Sequence, residues 1–269
     1  MRVYSSNRQI STKDYIAELA ARGQHHFTSA DARAALGVSA DATKLALNRL
    51  AKQQRIASPS RGFYVIVRPE YRSLGCLPAD QFIPALMSSK QLSYYVGLLS
   101  AAQYYGAAHH RPQEFQVLLE KSRRPIRCGR VRIRFVARKR LTEVHTRSFN
   151  TPRGEIRVAT PEATAVDLAG YPHYAGGLDN VATILAELAE SIDPALLPAA
   201  AATAPLPWAQ RLGYVLEFVG ASSLAEQLKS YVSDNASEHT PLVPGRFLPG
   251  AERSSAWKII INSELSLEA

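Results

Sequence analysis

Three capped helical segments, followed at once by a hairpin, fill the first seventy residues, and that order admits few folds. In the first segment Ser11 can cap, Asp14 sits three residues on in the manner of a capping box, and Gly23 supplies a C-terminal stop. Its apolar face is Tyr15, Ile16, Leu19 and Ala20. A second helix begins at Thr28, with Asp31 at N3, and ends at Gly37. Gly37-Val38-Ser39 is then a tight turn, and Ser39 caps a third helix running from Ala40 to about Gln54. Residues 55–67 read as a strand, a Ser58-Pro59-Ser60-Arg61-Gly62 turn and a second strand. Helix, helix, tight turn, helix, hairpin is the order of a winged helix-turn-helix, expected over residues 1–72.

The third helix carries the test of that reading. At about 100° per residue, Thr43, Ala46, Leu47 and Leu50 gather on one side and face the other helices. Asp41, Lys44, Leu45, Asn48 and Lys52 gather on the opposite side. A solvated face accounts for the four polar residues but gives no reason for Leu45. In a major groove Leu45 can rest against thymine methyls, while Asn48 bonds adenine edges and Lys44 bonds guanine or phosphate. The wing offers Ser58, Ser60 and Arg61 to sugar–phosphate or to a minor groove. Arg55 stands where a winged helix often has glycine, and it reads equally as a phosphate contact or as a solvated residue at the helix end.

Charge separates along the chain. Residues 1–75 hold 12 Lys and Arg against 5 Asp and Glu, residues 76–160 hold 15 against 5, and residues 161–269 hold 5 against 13, for a net +9. A cationic front and an acidic end suit an anionic partner, for which nucleic acid is the commonest candidate. Residues 121–140 contain ten Lys and Arg and no Asp or Glu. Within them Arg130, Arg132 and Arg134 alternate with Val131, Ile133 and Phe135, so a strand there places three guanidiniums on one face. Exposure alone satisfies the pattern. Mutual repulsion without intervening acids favours an anion against it, whether DNA, RNA or the acidic face of a protein.

Pro69 and Pro78 bracket a linker or entry strand. Residues 87–106 have the length and apolar majority of one buried helix, with tyrosines packed in the core rather than stacked on bases. Strands are expected at 115–119, 131–136, 143–148 and 155–159. Thr160, with Pro161 at N1, starts a helix whose dipole Glu162 complements. Glu162 and Asp167 diverge by about 140° and make no metal pair. Further helices are expected at 178–191, 194–202, 207–218 and 222–231, an Ala- and Pro-rich surface connection at 198–207, and a last buried strand at 257–262. The whole reads as α+β: the N-terminal winged helix-turn-helix, then a larger mixed α/β domain over 78–269. That domain divides into a basic β-rich part at 110–160 and an acidic helical part at 161–269.

A search for chemistry excludes more than it finds. No G-x-x-x-x-G-K-[ST], G-x-G-x-x-G or G-x-S-x-G occurs. His25-His26 and His109-His110 lack partners at metal-ligand spacing and are expected at the surface. Cys76 and Cys128 have no C-x-x-C neighbour, which argues against both a disulfide framework and a zinc cage. The nearest nuclease-like feature, Glu120-Lys121, has no partner aspartate before it. No catalytic residue, metal or cofactor is therefore assigned. No apolar run reaches the roughly 20 residues of a membrane span. Residues 1–8 have no apolar core for a secretory signal, so a cytoplasmic location is expected.

Five features taken in order resemble the AbiEi family of antitoxins over nearly the whole chain. They are the winged-helix order, Tyr94-Tyr95-Val96-Gly97-Leu98-Leu99-Ser100-Ala101-Ala102, Thr160-Pro161-Glu162-Ala163-Thr164-Ala165-Val166-Asp167-Leu168, Arg211-Leu212-Gly213-Tyr214-Val215-Leu216-Glu217 and the closing residues 257–262. The resemblance implies a non-enzyme that counters an AbiEii-type nucleotidyltransferase-like toxin in bacterial toxin–antitoxin operons often tied to phage defence. It implies a winged helix that binds inverted repeats in double-stranded operator DNA and represses its own operon, with antitoxin activity in the C-terminal domain. It assigns Ser39, Lys44, Leu45, Asn48 and Lys52 to base and backbone contact and Arg61 to the wing. Many members are described as type IV, acting without a stable toxin complex. Direct masking of the toxin by residues beyond about 160 is the alternative, and a nuclease delivered by a winged helix is a further one. The Arg130, Arg132 and Arg134 face is unusually rich for the family and is an additional candidate for anion binding.

Overall fold

A computed structural model describes residues 10–107 and 113–267, so the His109-His110 pair lies outside the described residues. The chain is mixed α/β and clusters into two compact units. Unit 1 is Met1–Leu92 with Arg124–Arg134 and Thr151–Gly154. Unit 2 is Ser93–Arg123 with Phe135–Asn150 and Glu155–Ala269.

Unit 1 opens with α1 (Thr12–Ala21), capped by Ser11, and a short strand β1 (His26–Thr28). Thr28 caps α2 (Ser29–Leu36) in a capping box closed by Asp31, and Gly37 at φ 62 ends the helix. Ser39 caps α3 (Ala40–Lys52). The left-handed residue after α3 is Gln54 (φ 55), not Arg55, with Gln54 N donating to Ala51 O and Arg55 N to Leu50 O. β2 (Ile56–Ser60) and β3 (Phe63–Ile66) follow, and β1 completes an antiparallel sheet in the order β1-β3-β2. Tyr15, Ile16, Leu19, Phe27, Leu36, Leu47, Leu50, Ile56 and Ile66 form the common core.

Two expectations for this unit need correction. Ser58, Pro59 and Ser60 belong to β2, which is irregular between Ala57 and Ser60, and only Arg61-Gly62 makes the turn. The Ser58 hydroxyl donates to the Ser60 and Phe63 carbonyls at 3.0 and 3.1 Å and so serves the hairpin itself. Nor is the His25-His26 pair a surface feature. Pairing of β1 with β3 half-buries both, and His26 stacks on Phe63 with ring centroids 5.6 Å apart.

The apolar stretch 87–106 is not one helix. α4 (Ile83–Ser89) ends before Gln91, which takes a left-handed φ of 52. The chain then enters unit 2 as β4 (Tyr95–Val96), and α5 (Leu98–Tyr104) follows. Tyr94-Tyr95-Val96 has the aromatic and β-branched character of a strand, and a sheet partner distant in sequence decides the matter. Tyr94 and Tyr95 are buried, as core packing required. β5 (Phe115–Leu119) runs antiparallel to β4, with Tyr95 opposite Leu118.

From β5 the chain returns to unit 1 for β6 (Ile126–Cys128) and the first half of β7 (Val131–Ala137). A 3-10 turn at Leu141–Glu143 displaces the next strand, so β8 is Thr146–Thr151 rather than 143–148. β9 (Gly154–Ala159) then lies parallel to β4, and the unit 2 sheet has the order β7-β5-β4-β9-β8.

Thr160 caps α6 (Pro161–Gly170), which is buried from Pro161 through Ala169. It packs against α5, α7 (Leu178–Leu188), α8 (Leu197–Ala202) and α9 (Leu206–Phe218), and α10 (Ser222–Asn235) lies on α9. The Ala- and Pro-rich stretch is therefore not a surface connection. α8 occupies its first half, and Ala200, Ala201, Thr203 and Ala204 are buried, as suits small, strongly helix-forming residues. β10 (Thr240–Pro241), β11 (Glu252–Ser254) and β12 (Ile259–Ile261) close the chain in the order β10-β12-β11, with Trp257, Ile259 and Asn262 buried.

Candidate nucleic-acid interface

α3 turns Thr43, Leu47 and Leu50 into the unit 1 core and leaves Lys44, Leu45, Asn48 and Lys52 exposed, Leu45 to 59%. Among the described residues no ion pair or side-chain hydrogen bond occupies Lys44, Asn48 or Lys52. Ser39 is exposed at the head of the helix, its Oγ accepting from Ala42 N at 3.2 Å. Arg49, which the sequence reading passed over, borders the same face four residues after Leu45 and three before Lys52. The helical spacing that selected Leu45 could have found it. Arg61 is exposed at the β2–β3 turn, and Gly62 O accepts from Ser29 N at 2.9 Å, which ties that turn to the start of α2.

The arginine-rich segment keeps half of its expected geometry. Val131, Ile133 and Phe135 are buried, while in β7 Arg132 is exposed and Arg134 half-buried. Arg130 leaves that face because Gly129-Arg130 is the turn of the β6–β7 hairpin, and Arg130 N donates to Leu74 O at 2.8 Å. Register instead sets Arg127 directly opposite Arg132. Like charges across a ladder are destabilising unless an anion lies against them. Arg124, Arg127, Arg130 and Arg132 are all exposed, with no carboxylate partner among the described residues. Reading Gly129 as the centre of a two-residue turn would have paired 127 with 132 from sequence. The described residues of unit 1 carry 17 Lys and Arg against 6 Asp and Glu, those of unit 2 carry 12 against 16.

Arg138, counted in the same basic run, faces the other way. Its Nε donates to Asp167 Oδ1 at 2.9 Å, and Tyr95 Oη donates to Asp167 Oδ2 at 2.7 Å. The guanidinium also donates to the Lys139 and Thr203 carbonyls and to Thr203 Oγ1, and it lies 4.8 Å from the centre of the Trp208 ring. Arg138 is 1% exposed and Asp167 not at all. Burial pushes the Asp167 carboxyl up, and the charge of Arg138 with the Tyr95 hydroxyl bond opposes it. This closed network offers nothing to a substrate and fastens α6 to the sheet and to the end of α8. Glu162 is structural too, its Oε1 accepting from Asp193 N at 2.9 Å. Glu120 is exposed at the end of β5. Among the described residues no three His, Cys, Asp or Glu side chains are grouped to hold a metal, and no helix is long and apolar enough to cross a membrane.

The family model described as the AbiEi antitoxin C-terminal domain matches residues 95–218. No curated protein matches the chain. Among solved structures, the crystal structure of RV2827C protein from Mycobacterium tuberculosis is similar over 91% of this chain and 89% of that one, with a TM-score of 0.63 and 15% identity. That likeness is one of fold.

Proposed function

We propose that this chain, whose residues 95–218 match the AbiEi antitoxin C-terminal domain, counters a nucleotidyltransferase-like toxin and represses its own operon. In this reading the first part of unit 1 works as a winged helix-turn-helix. α2, the Gly37 turn and α3 form the helix-turn-helix, and β2 with β3 forms the wing. One observation carries it: α3 exposes Leu45 in the middle of an unpaired Lys44, Asn48 and Lys52 face. Solvent gives an apolar side chain no reason to be there, and thymine methyls do. Asn48 then reads adenine, Lys44 reads guanine or phosphate, Ser39 and Lys52 hold the backbone, and Arg61 enters the flanking minor groove. The operator is a pair of inverted repeats, and the protein is a cytoplasmic non-enzyme.

The test separates the two activities. Lys44→Ala with Asn48→Ala should abolish repression of an operon–reporter fusion while the variant still rescues growth of cells expressing the toxin. Loss of both activities in a variant that remains folded would show that repression and protection are not divided between the two parts.

A second reading, direct masking of the toxin, draws support from the acidic balance beyond residue 160, 13 Asp and Glu against 5 Lys and Arg. Co-purification with the toxin at moderate salt supports masking. Protection without co-purification supports action through the toxin's target.

A further inference from the structure

In unit 1 the turn of the β6–β7 hairpin crosses residues 74–76 at very close range. Arg130 N donates to Leu74 O at 2.8 Å. A Cβ added to Gly129 (φ 58) would fall 2.2 Å from that same carbonyl oxygen and 2.8 Å from the Gly75 backbone. Only glycine passes there. The residues flanking this crossing are Cys76 and Cys128, the two cysteines of the chain, 52 positions apart in sequence. The crossing sets the two side chains close enough that each thiol shifts the other, Cys76 upward and Cys128 downward. Both are free, Cys76 fully buried and Cys128 8% exposed. Core packing alone calls for neither thiol to meet the other.

We propose that Cys76 and Cys128 are an oxidisable dithiol, converted by a hydroperoxide into a disulfide that fastens the turn of the arginine hairpin to residues 74–76. The two sulfurs have different tasks. Cys128, at 8% exposure, is the more accessible of two buried cysteines, and the neighbouring Cys76 thiol and Ser58 backbone hold its own thiol below the usual range against the effect of burial. It is the attacking sulfur. Cys76 is pushed up by the neighbouring Cys128 and by burial, and stays protonated until it resolves the intermediate.

In the first step Cys128 sulfur attacks a peroxide oxygen. An S–O bond forms, the O–O bond breaks, and the released oxygen takes the thiol proton to leave as water, giving a sulfenic acid. In the second step Cys76 sulfur attacks Cys128 sulfur. The S–S bond forms, the S–O bond breaks, and hydroxide departs with the Cys76 proton as a second water. Two thiols are oxidised and one hydrogen peroxide is reduced to two waters. An S–S bond of about 2.0 Å is shorter than any thiol hydrogen bond, so oxidation draws the hairpin turn toward residue 76. This inference is independent of DNA binding.

The experiment uses the full, folded, reduced chain and dilute hydrogen peroxide. The expected product is lighter by two hydrogen atoms, and the tryptic peptides bearing Cys76 and Cys128 appear linked until reductant is added. Cys76→Ser should stop at a sulfenic acid on Cys128, trapped by a dimedone probe. Cys128→Ser should leave Cys76 unmodified under the same conditions. If a serine variant does not fold, judged by circular dichroism, the alanine variant takes its place. A linked peptide that forms only in denaturant, a link joining two chains, or probe labelling on Cys76 first would each overturn the proposal.

Discussion

Gln54 holds a left-handed φ of 55 just past α3. A side chain with a Cβ is strained there, whereas glycine is not. Set against the greater freedom glycine has when unfolded, Gln54→Gly should stabilise the protein by about 0.5–1 kcal/mol. A urea midpoint that fails to rise would mean that the Gln54 side chain makes a compensating contact. His25 makes a pH-dependent contribution of definite sign. Burial first, then the charges of Arg153, His26 and Arg68, depress its imidazole from 6.5 to about 4. Between those values the unfolded chain binds the proton and the folded chain does not, so this share of stability is complete above 6.5, falls as the pH drops, and levels off below about 4. The loss of stability between pH 7 and pH 4.5 should shrink in His25→Gln, and an unchanged loss would clear His25 of the effect. The exposure of Leu45 and the apolar alternation of Val131, Ile133 and Phe135 were legible in the sequence, because the spacing on one helix or strand decides them. The burial of His25 and His26 was not, since β1 exists only by pairing with β3.

At the scale of elements, four helix starts were read correctly from their caps: Ser11, Thr28, Ser39 and Thr160. A cap acts within one turn, so a local reading suffices. The break within 87–106 and the strand at β4 escaped that reading because they answer to β5 and β9. Asp167 shows the same limit. On a helix buried all round, a carboxylate needs a partner, and its partner Arg138 stood in a run that looked wholly solvent-facing. Arg138→Met or Asp167→Leu alone should cost roughly 3–5 kcal/mol, because each strands a buried charge. The double variant should cost clearly less than the sum, since it strands neither. Unfolding free energies for the four proteins of this cycle measure the coupling, and simple additivity would mean the pair is not coupled.

At the scale of the whole molecule, the fold redistributes the charge that runs along the sequence: the described residues of unit 1 carry 17 Lys and Arg against 6 Asp and Glu, and those of unit 2 carry 12 against 16. Unit 1 draws Arg124, Arg127, Arg130 and Arg132 away from the segment they sit in, while Arg138 is withdrawn into unit 2. Binding to operator DNA should weaken linearly with log salt, by about 0.9 for each phosphate neutralised. Lys44→Ala should reduce that slope by about one. A slope that ignores Lys44 would place α3 away from the phosphates.

Alone, the sequence determined the four capped helix starts and the polar and apolar faces of α3, because these depend on residues within a turn of one another. Only the tertiary structure decided which groups meet: Arg127 opposite Arg132, Cys76 against Cys128, Arg138 on Asp167. Those meetings depend on strand register and on crossings between distant stretches. The physical cause lies in the packing of the whole chain, which no local window of residues encodes.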